Sequence, residues 1–214
     1  QNSENNQALV LSTLSCLVLW QVVYRTSQDI CLSLIEEVWS RNLINLFSTP
    51  ITIFEWLCAV MILGLFKVIP SFLFAVGAVW YFYGINIFLL GPILIPYLLS
   101  LIISGWCIGI FISSFLIYWG HRVQTLVWSL AWAFAPLSGV FFAITVFSRP
   151  AQRVAKSLPT TYIFDSIRQL VFNKAIVWNN FYMAVALNVF YFILVLLLFR
   201  FSFERSRALG LSRL

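Results

Sequence analysis

Ionisable side chains inside apolar sequence are the first candidates for chemistry in this chain. Lys67 stands alone in a long apolar segment, and a charge within a membrane span is costly enough to suggest a function. Lysine can also reach an interface along its flexible stem, so a transport pathway and an interface anchor both stay open as roles. Asp165 and Arg168 are spaced i and i+3 and can pair on one helix face, as a structural ion pair or as part of a gate.

No constellation in the sequence supports catalysis. The chain lacks the glycine-rich GxxxxGK[ST] loop that cradles nucleotide phosphates. His121 is the only histidine, and it lies far from any carboxylate in the sequence, which favours a solvated side chain. Glu36 and Glu37 are neighbours in the sequence and point about 100° apart on a helix, which favours exposed side chains or a protein contact over acid–base work. The cysteines follow no metal-ligand or disulfide pattern. We therefore predict that the chain is not an enzyme and binds no metal or cofactor of its own.

The composition is that of a membrane protein. Of 214 residues, 62% are apolar and 9% are charged, against roughly 45–50% and about 25% in soluble domains. The net charge of +6 comes from scattered basic residues, so it gives no reason to infer nucleic acid binding. This composition excludes a soluble globular domain and a disordered chain.

Intervals between charged residues predict the membrane spans, since about 20 apolar residues cross a bilayer as a helix. Five spans are predicted, at residues 8–24, 55–83, 95–119, 123–147 and 178–199. Residues 26–50 carry charges and a helical repeat of apolar residues, which predicts an amphipathic helix at an interface that ends before Pro50. Pro159 divides the segment 151–172 into two pieces, and each piece is too short and too charged to cross the bilayer. This pattern predicts two short helices at one surface.

The distribution of arginines predicts the orientation. The tail after residue 199 carries four arginines directly beside a span, which favours a cytoplasmic C-terminus. Five crossings then leave the first residues outside, so a chain with both ends inside needs one more span before Gln1. Gly105 and Gly109 form GxxxG spacing, which allows close helix packing within one chain or between two copies.

Three stretches together resemble the permease subunit of type-2 ATP-binding-cassette exporters. They are EVWSRNLINLFSTPITIFE at 37–55, SGVFFA at 138–143 and LPTTYIFDSIR at 158–168, and they occur in the family order and in register with the predicted spans. Such permeases have six spans. The resemblance therefore implies an upstream span preceded by a cytoplasmic amphipathic helix.

The resemblance implies an all-α polytopic subunit that moves an amphipathic, lipid-linked or glycan cargo out of the cytoplasm across a bacterial inner membrane. Two copies, as a homodimer, would work with a separate ATPase that binds ATP and Mg. Residues 26–50 would hold the coupling helix, whose expected ATPase contacts are Arg41, Asn42, Asn45, Leu46 and Phe47. A non-transporting membrane scaffold or channel subunit is the alternative.

The resemblance also implies that residues 151–172 are a re-entrant helix pair on the outer side. Tyr162, Asp165 and Arg168 would belong to this element or to an outer gate. The many aromatic rings in and near the spans suit a lipid or sugar cargo and interface anchoring equally well.

Overall fold

The computed structural model describes residues 2–40, 50–119 and 124–208, and within these ranges the protein is all-α, with no strand. The described helices are α1 (Asn2–Trp39), α2 (Ile53–Tyr83), α3 (Leu94–Trp119), α4 (Gln124–Leu137), α5 (Arg149–Ser157), α6 (Pro159–Asn173) and α7 (Trp178–Ala208). Short 3₁₀ helices, Ile87–Leu90 and Ile144–Val146, lie in two of the connections.

Four of the described helices are long and apolar enough to cross a membrane. These segments are Ala8–Trp39, Ile53–Tyr83, Leu94–Trp119 and Trp178–Arg207. The chain is therefore a multi-pass, all-α membrane protein. The count of long helices differs from the five spans that the sequence predicts.

The structure departs from the predicted elements in two places, α1 and α4. Residues 26–39, predicted to begin a separate amphipathic helix, continue α1 without a break. In the predicted span at 123–147 the described α-helix is α4, which ends at Leu137 just after Pro136, and the short 3₁₀ helix Ile144–Val146 follows it. At 1.5 Å per residue this helix is about 20 Å long, shorter than the roughly 30 Å hydrocarbon core.

Contacts between helices give their directions. Thr26 of α1 lies beside Gly105 of α3, and Cys31 of α1 contacts Gly109 and Ser113 of α3. Because later residues of α1 meet later residues of α3, these helices are parallel. Helix α7 is parallel to α3, because it contacts α3 near the start through Asn188 and near the end through Arg205. Thus α1, α3 and α7 all end on one side, which we call the tail side.

Helices α2 and α4 run the opposite way. Residues 53–60 of α2 pack with residues 30–38 of α1, whereas Val76 and Val79 pack in a second core with residues 16–23. In α4, Val127 contacts Gln28 and Trp132 contacts Tyr24. Both α2 and α4 therefore begin on the tail side, and the other side is called the far side.

The ends of α2 follow from local sequence. Thr52 and Glu55 form a capping box, in which each side chain accepts a hydrogen bond from the other residue's backbone N–H. Gly84 ends the helix in the left-handed conformation, with φ of 65°, which glycine adopts without steric cost. The sequence thereby fixes where this long apolar helix starts on the tail side and stops on the far side.

Candidate functional site

A cluster of three charged side chains lies inside the candidate spans of α1 and α2. Asp29 is in α1, and its Oδ1 is 3.6 Å from Nη2 of Arg25 and 3.8 Å from Nζ of Lys67 in α2. Gly64, one turn before Lys67, faces the Asp29 side chain, since a Cβ at this position would lie 3.6 Å from Cβ of Asp29. Lys67, a predicted pathway residue, therefore pairs with a carboxylate on the neighbouring helix.

A second candidate region lies where α6 packs along α7. The Thr160 hydroxyl at the start of α6 donates to the Ser138 hydroxyl at 2.8 Å, and both residues line a cavity with Tyr191 and Val195 from the middle of α7. Near the other end, the Asp165 carboxylate of α6 lies beside Asn180 at the start of α7. Helix α6 thus begins about halfway along α7 and runs back to the far side.

Arg168 connects α6 to the chain that leaves α4. Its guanidinium donates to the backbone carbonyls of Gly139 and Val140, the latter at 3.0 Å. These carbonyls follow the end of α4, so no further helical turn supplies N–H donors to them. Arg168 therefore satisfies the buried carbonyls just after α4 and fixes α6 against this segment.

Asp165 and Tyr162 each have a hydrogen-bond partner on a neighbouring helix. The Asp165 carboxylate accepts from Nε2 of Gln169 at 2.7 Å and from Nδ2 of Asn180 at 3.0 Å. The Tyr162 hydroxyl donates to the carbonyl of Lys156 at 2.9 Å, which joins α6 to α5. Asp165 and Arg168, predicted as a possible pair, are thus each engaged with different groups.

A cavity of about 210 Å³ lies between α3, α4, α7 and the turn that joins α5 to α6. Its walls are mostly apolar and include Cys107, Phe111, Phe134, Thr160, Tyr191 and Val195. The space is large enough for part of an acyl chain or a small ring system. The start of α6 therefore borders an apolar space in the middle of the bundle.

A polar contact holds α3 and α7 together next to this cavity. Nδ2 of Asn188 donates to the carbonyl and hydroxyl oxygens of Ser100, each at 2.9 Å, and Oδ1 of Asn188 accepts from Ser104 at 2.8 Å. All three side chains are buried and mutually satisfied. Such a network fixes the register of two parallel helices where lipid offers no competing hydrogen bonds.

Replacing Arg168 with methionine is expected to lower the free energy of unfolding by roughly 2 kcal/mol, because two charge-assisted hydrogen bonds to backbone carbonyls are lost. Arg153→Met is the matched control, since Arg153 is exposed on α5. Denaturant unfolding in a mild detergent measures both. Equal stability of the two variants would contradict the anchoring role of Arg168.

The predicted ATPase contacts Arg41, Asn42, Asn45, Leu46 and Phe47 lie outside the described residues, as does His121. Sequence reasoning did not single out Asp29 as the partner of Lys67, nor Asn188 and Ser100 as a polar contact. The signal that could have found these contacts is the presence of Arg25 and Asn188 inside apolar helices, because polar side chains inside spans need partners.

Comparison with known proteins gives no family assignment: the chain matches no family model, and no curated protein matches it significantly. The functional interpretation therefore depends on the geometry of the helices and on the sequence itself.

Proposed function

We propose that the chain is the transmembrane subunit of an ATP-driven exporter in a bacterial inner membrane. It would act as a homodimer with a separate ATPase subunit that binds ATP and Mg. The proposed cargo is amphipathic, lipid-linked or a glycan. This proposal combines the sequence resemblance with the arrangement of the described helices.

The course of the chain from α4 to α7 carries the proposal. Helix α4 stops short of a full crossing, and α6 then runs from the middle of the bundle back to the far side. We infer that α5 and α6 are a re-entrant pair on the outer side, as in the permeases that the sequence resembles. An element of this kind would close the outer end of a pathway and open it when the spans move.

The tail side supports the placement of the ATPase. Helix α1 ends and α2 begins on this side, where Arg205 and Arg207 near the end of α7 also lie. The predicted ATPase contacts fall between α1 and α2 in the sequence. Since positive residues favour the cytoplasmic side, the segment that joins these helices is expected to meet a cytoplasmic ATPase.

The cavity between α3, α4 and α7 supports an amphipathic cargo. Its apolar walls carry a few hydroxyl groups, from Ser104, Ser138 and Thr160. Such a lining suits an acyl chain or an isoprenoid better than a strongly polar solute. Movement of α6 away from Ser138 would connect this cavity to the far side.

Single-cysteine labelling of whole cells tests the re-entrant pair. Cys16, Cys31 and Cys107 are buried, so replacing the exposed Cys58 with serine gives a suitable background. With an impermeant thiol reagent outside the cells, cysteines at positions 153 and 156 are expected to react, because both side chains on α5 are exposed. Cysteines at 164 and 167 are expected to be protected, because both side chains on α6 are fully buried.

Single cysteines at two further positions serve as controls for the side of the membrane. A cysteine at 174, between α6 and α7 on the far side, is expected to react from outside, and one at 207 only after the membrane is permeabilised. Uniform reactivity from 153 to 167 would indicate a loop and remove the main support for the proposal. Reactivity of 174 only from the cytoplasm would invert the orientation.

A further inference from the structure

Arg25 and Lys67 are two cations that share one carboxylate inside membrane-spanning helices. Both contacts to Oδ1 of Asp29 are long, at 3.6 and 3.8 Å, compared with about 2.8 Å for a close charge-assisted hydrogen bond. Among the described residues, Nε of Arg25 and Oδ2 of Asp29 are buried without a hydrogen-bond partner. The cluster therefore carries a net positive charge and has donors that are not fully used.

The two cations face outward from the seam between α1 and α2. The side chains of Arg25 and Lys67 are 42% and 53% exposed, whereas Asp29 is 6% exposed and lies behind them. Among the described helices, α2 packs mainly on α1, so this seam is open along one side. Lys67 lies near the middle of α2 (Ile53–Tyr83), so the cluster is deep within the span.

Among the described residues, no second carboxylate lies beside Arg25 and Lys67 to balance this positive charge. Apart from Asp29, the carboxylates of α1 and α2 that follow residue 7 are Glu36, Glu37 and Glu55, all near the tail-side ends of these helices. Asp165 is on α6, where it accepts hydrogen bonds from Gln169 and Asn180. A second copy of these helices would therefore bring no spare carboxylate to this depth. Because an unpaired cation facing hydrocarbon is costly, an anion from a ligand is the better partner.

We propose that Arg25 and Lys67 form a binding site for the phosphate group of an amphiphile that enters between α1 and α2 from the bilayer. Asp29 lies behind the two cations, and the guanidinium and ammonium groups both donate to phosphate oxygens. The tail of the amphiphile lies along the apolar seam. Its role as cargo depends on the proposed exporter function, whereas the site itself does not.

Native mass spectrometry of the purified full-length protein in neutral phosphatidylcholine nanodiscs tests the site. The probes are phosphatidic acid and diacylglycerol, which share acyl chains and differ in the phosphate. Phosphatidic acid is expected to bind, and diacylglycerol much less. The double variant Arg25→Gln with Lys67→Gln is expected to lose about tenfold in affinity for phosphatidic acid, because both charge-assisted contacts are removed. Arg153→Gln with Lys174→Gln is the matched control, with two exposed cations removed elsewhere.

Asp29→Asn distinguishes a binding site from a purely structural ion cluster. This variant keeps the shape of the side chain and removes the competing negative charge, so phosphatidic acid is expected to bind more tightly than to the wild type. A structural role alone would leave its affinity unchanged. Equal binding of phosphatidic acid to the wild type and the double variant, or equal binding of diacylglycerol, would overturn the proposal.

Two further arms separate the source of the phosphate from the exporter function. Inorganic phosphate is expected not to displace phosphatidic acid at equal concentration, because it cannot bury a tail in the seam; displacement would overturn the amphiphile as the ligand. In proteoliposomes with the ATPase partner, a labelled phosphate amphiphile is expected to cross the membrane only with ATP. Binding without ATP-driven movement would keep the site and contradict the exporter, and movement that survives the double variant would contradict the site's role in cargo binding.

Discussion

Replacing Gly109 with alanine is expected to destabilise the bundle by about 3 kcal/mol, at the upper end of the range for overpacked cores. A Cβ at this position would lie 2.7 Å from the carbonyl oxygen and 3.0 Å from Cα of Ser27. Both atoms belong to the α1 backbone, so no side-chain rotation relieves the clash. Helices α1 and α3 would have to separate, which disturbs the most extensive helix contact among the described elements.

Gly105 and Gly77 provide the comparison. A Cβ at Gly105 would lie 2.6 Å from the Val23 carbonyl, so Gly105→Ala is expected to be similarly destabilising. Gly77 has nothing within 4 Å of the added atom, and Gly77→Ala is expected to be neutral or slightly stabilising through helix propensity. Thermal unfolding in a mild detergent measures all three. Equal stability of the Gly109 and Gly77 variants would contradict the close packing of α1 on α3.

Changing Phe47 to aspartate is expected to reduce ATP-driven export by about tenfold or more while leaving membrane insertion intact. The resemblance assigns Phe47 to the contact with the ATPase, and a carboxylate buried at an apolar protein contact is costly. Leu46→Asp is expected to act in the same way. Export of cargo and ATP hydrolysis by the complex are measured together, because uncoupling leaves hydrolysis running without transport.

Phe47→Leu is the control for this effect, since it keeps an apolar side chain of similar reach. It is expected to retain most of the transport. If Phe47→Asp and Phe47→Leu transport equally, the segment around residue 47 does not couple the ATPase to the spans. Loss of the protein from the membrane in Phe47→Asp alone would instead indicate a folding role.

The membrane class was predictable from composition, because too few charges are present to cover a soluble surface. The break at Pro159 and the end of the predicted span at residue 83 could also be read from the sequence, since Pro159 and Gly84 interrupt helices through their backbone properties. The segment 151–172, for which prolines predict two short helices, overlaps α5 and α6.

The extent of α1 could not be deduced from charge intervals. The interval between charges ends the first predicted span before Arg25, yet Arg25 pairs with Asp29 at i, i+4 and both lie inside a continuous helix. An ion pair lowers the cost of burying both charges, so counting charges singly misplaces the boundary. Lys67 was recognised as unusual, but its partner lies on another helix and is not visible from one segment.

The partner of the GxxxG pair was also beyond sequence reasoning. Gly105 and Gly109 allow close approach equally well within one chain or between two copies. Only the three-dimensional arrangement assigns them to α1 of the same chain. The early end of α4 has a similar origin, because an apolar stretch of adequate length can leave the helical conformation when Arg168 supplies hydrogen bonds to its end.

Dependence on a separate ATPase is the central claim, and purification of the full-length protein from native membranes tests it most directly. The tagged chain is extracted in a mild detergent, its stoichiometric partners are identified by mass spectrometry, and ATP hydrolysis by the complex is measured. We expect two copies of the chain with two copies of an ATPase that carries a phosphate-binding loop, together with hydrolysis of ATP. A chain that purifies from functional membranes without such an ATPase, and without ATP hydrolysis, would contradict the account.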